Sequence, residues 1–585
     1  MKKYFFRASA VDFKKIPGNP ISYSANEEIR DLFAHGVLSD FADTRLGMAT
    51  ADNSRFLRFW YEVGCSKICF NARNRKEASL SDMRWFPYQK GGEYRKWFGN
   101  LDYCVDWAQD GEAIQNFKDS TTGKVRSHNY NLDFIFRRGV TWNALTSGKT
   151  SARISDNSLF DNAGSSLFVK GRVTEETVMG LVNSNVMLEV FPLISPTLNY
   201  QPGDLSKLPA FFPDHLQAEL AKVIPQAIEV EKRDWNYYET SWNFTSLPLV
   251  DPDRRQPTIK ASFNCLRTDW REMTLEMQRL EEENNRIFIN AYGLQDELTP
   301  EVPLNEITLN CNPHYRYGGD KTEEELEALL LADTMREFIS YSVGCMFGRY
   351  ALDKPGLVLA NQGETIEDYR SLVPNSRFEA DADNVIPMMD GEWFADDVTE
   401  RFRQFLRVTF GDDHYDENLA FIEQALNPKG KRNYTLRDYM LGEFYTDHVK
   451  RYKKRPIYWL FSSGNGKSGG TFNALIYLHR YRPDTASVVL RYLREFRAKL
   501  AARQSTLEQV LINPATSQGE KTKAVKEIDA LKKQIIELQD YENDTLYPLA
   551  TAQVAIDLDD GVKVNYLKLG AALKKITGLD AKEED

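Results

Sequence analysis

Trp85-Phe86-Pro87-Tyr88-Gln89-Lys90-Gly91-Gly92-Glu93-Tyr94-Arg95-Lys96-Trp97-Phe98-Gly99-Asn100 brings aromatic clusters, cations and a glycine pair into one short run. Paired glycines let backbone N–H groups approach a phosphate, Arg and Lys neutralise phosphates or fork onto guanine, and Trp or Tyr rings stack at base steps. The run therefore reads as a nucleic-acid contact loop. Its surroundings agree, because residues 51–100 hold 10 Lys/Arg against 5 Asp/Glu, including Arg55, Arg58, Arg73, Arg75, Arg84 and Arg95. Arg84, Lys90, Arg95 and Lys96 are expected to face solvent or a ligand. For Trp85 and Trp97 two readings stand: a stacking surface, or an aromatic mini-core with cations at its rim. Arg126, Arg137, Arg138 and Arg153 fall near Gly or Ser turns of the same module. The candidate DNA-binding set is Arg55, Arg58, Arg73, Arg84, Tyr88, Lys90, Gly91, Gly92, Arg95, Lys96, Arg126 and Arg153.

A chain of 585 residues exceeds what one core sustains, so several domains are expected. The net charge of −11 is unevenly spread. Residues 1–210 carry 27 basic and 23 acidic side chains, the remainder 47 and 62, so a mildly basic module precedes an acidic body. The cysteines are scattered and only Cys65 and Cys69 are close, which suits free thiols in a reducing cytosol better than a zinc site. No apolar run reaches the roughly 18 residues of a membrane span, and mean hydropathy is −0.50, so a cytoplasmic protein with no membrane partner is expected.

Residues 1–212 read as mixed α/β, with strand-like runs at 56–63, 103–107, 133–136 and 166–170 and one helix over 175–189. A helical spacer, 213–299, contains helices over 216–232 and 263–292, with the Pro- and charge-rich 247–262 as a candidate linker. A second α/β body spans 300–485 and holds a helix over 321–347 with an acidic first turn. Helices over 488–511 and 520–541, joined by Asn513-Pro514-Ala515-Thr516-Ser517-Gln518-Gly519, form an antiparallel hairpin within 486–546, read either as a solvated surface hairpin or as an arm reaching DNA or another domain; a tail, 547–585, follows. The fold class is thus α/β multidomain.

Several segments resemble, in order, the C-terminal half of the PglX-type adenine-specific DNA methyltransferases of BREX phage-defence systems. Phe5 to Gly18 resembles the junction leaving the catalytic domain, and Trp85 to Asn100 the target-recognition domain. Leu198 to Asp204 and Asp234 to Trp242 are similar to the segments closing that domain. Asp383 to Pro387, Lys454 to Phe461 and Asp557 to Tyr566 are similar to C-terminal signatures. The resemblance implies a chain that selects a site on double-stranded DNA for methylation. The catalytic domain, with its S-adenosylmethionine loop and Asn-Pro-Pro-Tyr motif, has no counterpart here, so this chain is expected to hold no cofactor, no metal and no catalytic residue, and to partner that missing domain and other BREX proteins. An alternative is a protein–protein interaction module without base readout.

Another alternative, a permuted methyltransferase, would use Asn312-Pro313-His314-Tyr315, in which His314 replaces the second proline, with Ser463 to Gly470 as donor loop. Gly466-Lys467-Ser468 lacks the earlier glycine of a phosphate loop and reads as a strand-following turn. Asp381, Asp383, Asp390, Glu392, Asp396 and Asp397 read as a solvated acidic turn. The cluster His448, Lys450, Arg451, Lys453, Lys454 and Arg455 is either a phosphate-contacting patch or a solvated face.

Overall fold

The computed structural model describes residues 15–17, 27–145, 149–195, 199–464 and 469–579. Most of Phe5 to Gly18, Leu198, and residues 465–468 of the glycine-rich turn lie outside them. Eight short strands build the N-terminal region: β1 (Ala42–Arg45), β2 (Leu57–Phe59), β3 (Trp85–Gln89), β4 (Tyr103–Asp106), β5 (Gly139–Trp142), β6 (Ala152–Ser155), β7 (Leu159–Phe160) and β8 (Ser166–Val169). They form two four-stranded sheets, β1-β8-β5-β6 and β2-β4-β3-β7. In the second, β3 runs antiparallel to β4 and parallel to β7 and is buried throughout. Pro87 is tolerated because it stands opposite Cys104 before β7 begins to pair at Tyr88.

Two strand expectations change. The run 56–63 is a strand only to Phe59 and then tightens into a 3-10 turn, Trp60–Glu62; 133–136 is a turn whose Ile135 and Phe136 are buried beneath the sheet. The single helix expected over 175–189 is two, α1 (Glu175–Val182) and α2 (Asn185–Ile194), bent by 72° where Ser184 starts the second. Among the described residues no single helix is long and apolar enough to cross a membrane.

α3 (Asp214–Trp235) and α4 (Ile259–Ala291) pack side by side against the N-terminal sheets. Of the segment between them, Leu247, Leu249 and Val250 are buried while residues 252–257 are exposed. α5 (Glu323–Met346) begins at Thr322, whose hydroxyl accepts from the Glu325 N–H while Glu325 reaches back to the Thr322 N–H. α6 (Tyr445–Arg451) falls between the first and second strands of a three-stranded sheet of β9 (Ile386–Pro387), β10 (Tyr458–Ser462) and β11 (Asn473–Tyr477), ordered β10-β11-β9.

α7 (Thr485–Ile512) and α8 (Gln518–Tyr541) form the antiparallel hairpin. It does more than bury its own seam. Leu493, Phe496 and Leu538 join Trp459, Phe461 and Phe472 in one apolar cluster, and Glu537 accepts from Ser463 Oγ (2.5 Å) and Thr471 Oγ1 (2.7 Å). α9 (Gly561–Lys568) lies beside β2 and β3. One continuous core runs from the N-terminal sheets through α3 and α4 into the sheet of β10 and β11, so the mixed α/β body is tied together by apolar contact.

Candidate nucleic-acid interface

The Trp85–Asn100 loop turns inward. Arg95 and Lys96 are 3% and 5% exposed, which corrects the expectation that they face solvent or a ligand. Arg95 donates to Glu231 Oε1 (2.6 Å), Thr308 O (2.9 Å) and Asn310 Oδ1 (2.6 Å) and lies over the Trp235 ring. Lys96 is ion-paired with Glu281, which also accepts from the Trp97 indole (2.8 Å). Despite burial, which acts to lower it, the Glu281 carboxylate raises Lys96 above its usual value. Both acids stand on α3 and α4, so the loop clamps the sheet onto the helix pair. Arg153 belongs to the same clamp: it donates to Arg95 O (3.0 Å) and Asn143 Oδ1 (2.7 Å), and burial with the nearby Arg95 charge lowers it to about 10. Tyr88 is buried too, donating to Asp161 (2.6 Å). The mini-core reading holds for Trp85 and Trp97, which are 0% and 1% exposed.

Arg84 is exposed but engaged. It donates to Asp106 (2.9 Å) and Asp559 (3.0 Å), and Asp559 also accepts from Lys67 (2.7 Å) and the Trp85 indole (2.9 Å). Burial acts to raise the Asp559 carboxyl, yet the hydrogen bonds from Lys67 and Trp85 and the charges of Lys67 and Arg84 hold it below its usual range. These bonds seat the turn before α9 against β3.

The remaining candidates divide. Arg55, Arg73 and Arg126 are exposed, and Arg55 and Arg126 flank the Phe117 ring at 5.0 and 5.3 Å. Arg58 and Lys90 are half-buried; Gly91 is buried and Gly92 exposed, with φ of +83° and +143° that favour glycine. Lys90 leads to a feature no local pattern encoded. A groove of about 620 Å³ runs between β2, the residues after α6, and α9, and is lined by five cations, Arg58, Lys90, Lys453, Arg455 and Lys563. Its two acids offset part of that charge: Glu62, which accepts from the Phe59 and Val562 N–H groups, faces the Arg58 and Arg455 charges, and Asp560 accepts from Lys568, while Arg58 also donates to the Ser54, Leu57 and Asp559 carbonyls. Gly561, at φ +77°, leaves room for Arg58, which a Cβ would meet at 2.6 Å. Lys90, Tyr103 and Lys453 also line a second cavity of about 580 Å³.

The basic cluster 448–455 splits accordingly. Burial and the Arg451 charge hold His448 well below its usual value, and its Nε2 accepts from the Tyr458 N–H (3.0 Å). Arg451 pairs with Glu239 (2.9 Å); Lys453, though paired with Asp102 (2.8 Å), and Arg455 reach the groove. Lys563 carried no signal beyond its place in the Asp557 to Tyr566 segment.

The Asn312 motif is structural. Asn312 is fully buried, donates to Leu304 O (2.7 Å) and Ile307 O (2.8 Å), and accepts from the His314 N–H (3.2 Å) as a helix cap. Both of its amide N–H donors are spent, and its burial keeps the side chain from a base. Burial and the neighbouring Asp383 push Asp381 up to about 7. Among the described residues no group of three or more His, Cys, Asp or Glu is placed to hold a metal ion, and the cysteines are free thiols.

No family model matches the chain. It is 36% identical over 587 residues to the adenine-specific methyltransferase PglX of Lacticaseibacillus casei (strain Zhang), covering 98% of this chain and 46% of that protein. It is 37% identical over 591 residues to the adenine-specific methyltransferase BrxX of Escherichia coli O9:H4 (strain HS), covering 97% and 46%. The chain spans about half the length of the curated relatives it matches. Over nearly its whole length, therefore, it is related to the PglX-type adenine-specific methyltransferases.

Proposed function

We propose that this chain is the DNA-recognition portion of an adenine-N6 DNA methyltransferase of a BREX phage-defence system. The observation that carries the reading is the convergence of Arg58, Lys90, Lys453, Arg455 and Lys563 on one groove, where they outnumber its acids, Glu62 and Asp560. Such a track neutralises successive phosphates and fixes the register of a duplex, while sequence is read at base edges. Exposed Arg55, Arg73 and Arg126 extend the cationic surface of region 1–212, which supplies the base readout. Region 213–299 is the spacer that holds it against the 300–485 body, and the acidic C-terminal region is the docking surface for other defence proteins. S-adenosylmethionine binding and methyl transfer to the flipped adenine belong to the rest of the longer enzyme, in the cytoplasm.

Titration of this chain with a duplex at several salt concentrations tests the reading. Affinity should fall steeply with salt, and Arg455→Ala with Lys563→Ala should flatten that slope by about one unit per lost phosphate contact. A salt-independent affinity, or a slope unchanged in the double variant, rejects it.

A further inference from the structure

We propose that the hairpin of residues 117–126 is the element that enters the major groove of the duplex and reads base edges there. The inference deepens the DNA reading above and rests on it. Phe117 to Asp119 and Lys124 to Arg126 run antiparallel: Lys118 bridges Val125, the Asp119 N–H donates to Lys124 O (2.8 Å) and the Arg126 N–H to Phe117 O (2.8 Å). The turn is closed by its own atoms. Asp119 Oδ1 accepts from the Thr121 and Thr122 N–H groups (3.0 and 2.7 Å), and Gly123, at φ +67°, donates to Asp119 O (2.9 Å).

A surface hairpin ordinarily buries one face, because two strands alone are marginally stable in water. Here every residue from Ser120 to Arg126 is exposed, and a Cβ at Gly123 would meet nothing within 4 Å. Lys118 and Val125, which share one face across the ladder, are both exposed, Val125 to 46%. Only the root is held: Phe117 packs edge-on against Phe56 (5.3 Å) between Arg55 and Arg126, and His128 pairs with Ala49. That root ties the hairpin to the cationic groove. The one-turn helix Asn53–Phe56 presents Asn53 and Ser54 to the groove and Arg55 and Phe56 to the hairpin. A backbone lying in the groove and a hairpin inserted beside it are thus served by two sides of one short helix.

Size and chemistry both fit. Two strands about 4.8 Å apart enter a groove about 12 Å wide, and three residues per strand at roughly 3.4 Å each reach the floor of one about 8.5 Å deep. Among the described residues nothing pairs with the Lys118 and Lys124 ammonium groups or the Ser120 and Thr121 hydroxyls, and Asp119 is the hairpin's one acid against three cations. Free ammonium and hydroxyl groups donate to base acceptors such as guanine O6 and N7, and an exposed valine meets a thymine methyl. The polar tip, with its single aliphatic side chain, favours a duplex over an acidic protein face.

Dimethyl sulfate footprinting of the full chain on a mixed-sequence duplex tests the placement, because guanine N7 lies in the major groove. The parent should protect a cluster of guanines, and a variant with Asp119 to Lys124 replaced by Asn-Gly should leave them as reactive as in free DNA. Selection from a randomised duplex pool then supplies the preferred site. On it Val125→Ala should weaken binding about threefold and relax one A·T position, leaving a scrambled duplex unchanged, and Lys124→Ala should weaken it about tenfold. Both residues are exposed, so the fold tolerates either change. Arg455→Ala with Lys563→Ala should instead weaken both duplexes alike. Protection retained by the shortened hairpin, an unchanged preference in both point variants, or a parent that enriches no sequence overturns the proposal and leaves the hairpin to a protein partner. Salt-dependent duplex affinity persisting in that event keeps the groove reading, whereas a parent without it loses both.

Discussion

Replacing Lys96 by Met removes one charge from a buried pair while nearly conserving shape. Lys96 and Glu281 are 5% and 3% exposed, and the carboxylate keeps only the Trp97 indole, at 2.8 Å, once the ammonium is gone. Removing one member of a buried pair costs about 3–5 kcal/mol because the other charge is left uncompensated. The surviving bond to a charged acceptor, worth about 1.5–3 kcal/mol, places the expected loss near the lower end, about 3 kcal/mol at pH 7. Lys96→Met with Glu281→Gln leaves an amide for Trp97 and no charge, so it should lose only about 1 kcal/mol. Urea unfolding followed by tryptophan fluorescence and near-UV circular dichroism measures both. A pH series adds a sign. Burial raises the Glu281 carboxyl against the pull of Lys96 and Trp97, and deleting Lys96 raises it further. A carboxyl raised in the folded state favours folding when protonated, so the deficit of the single variant should shrink as pH falls through its folded-state value. The slope is at most about 1.4 kcal/mol per unit, and it ends where the parent's own Glu281, itself raised, begins to protonate. Duplex affinity should not change. Single and double variants within about 0.5 kcal/mol of each other, together with lost DNA affinity in Lys96→Met, would refute the clamp and return the loop to the interface.

Asp559→Asn should loosen the seat of α9 on β3, seen as faster hydrogen exchange in 57–59 and 558–568. Because the folded-state carboxyl lies below its usual value, this contribution is present above the unfolded value of roughly 3.9 and is lost as pH falls through the folded value, so the parent should acquire the same exchange pattern only in acid. Asn312→Ala should cost about 1–2 kcal/mol through its cap and orphaned carbonyls. Calorimetry should show no S-adenosylmethionine binding by parent or variant; micromolar heat lost on Asn312→Ala would revive the permuted enzyme. Glu231→Gln should destabilise the fold, whereas Arg126→Ala should leave stability within about 0.5 kcal/mol.

The long helices were legible because apolar spacing is a local property. Expected spans of 216–232, 263–292 and 321–347 became Asp214–Trp235, Ile259–Ala291 and Glu323–Met346, and the Asn513 to Gly519 turn marked the hairpin. Short elements were less legible. Asp133 to Phe136 alternates like a strand, yet Asn131 at φ +55° has already turned the chain and two apolar side chains are buried without pairing. The site was half legible. Arg95 and Lys96 were visible as cations, but whether a cation meets solvent or a carboxylate depends on partners 136 and 185 residues away. Groove cations Arg58, Lys453 and Lys563 come from three distant segments that only the packing of α9 on β2 and β3 unites. The resemblance to the methyltransferases was legible in the order of quoted segments, which does not depend on packing.

The bond from Trp85 to Asp559 joins residues 474 positions apart. A ribosome adding about 5–20 residues per second needs roughly 25–95 s to cover that distance. Through that interval the strand bearing Trp85 waits with an indole N–H and the Lys67 and Arg84 cations lacking their shared acceptor. A product cut short before Asp559 would keep that edge open for good, giving chaperones and proteases a lasting mark of incompleteness, while a chain that reaches Asp559 conceals it once that residue docks.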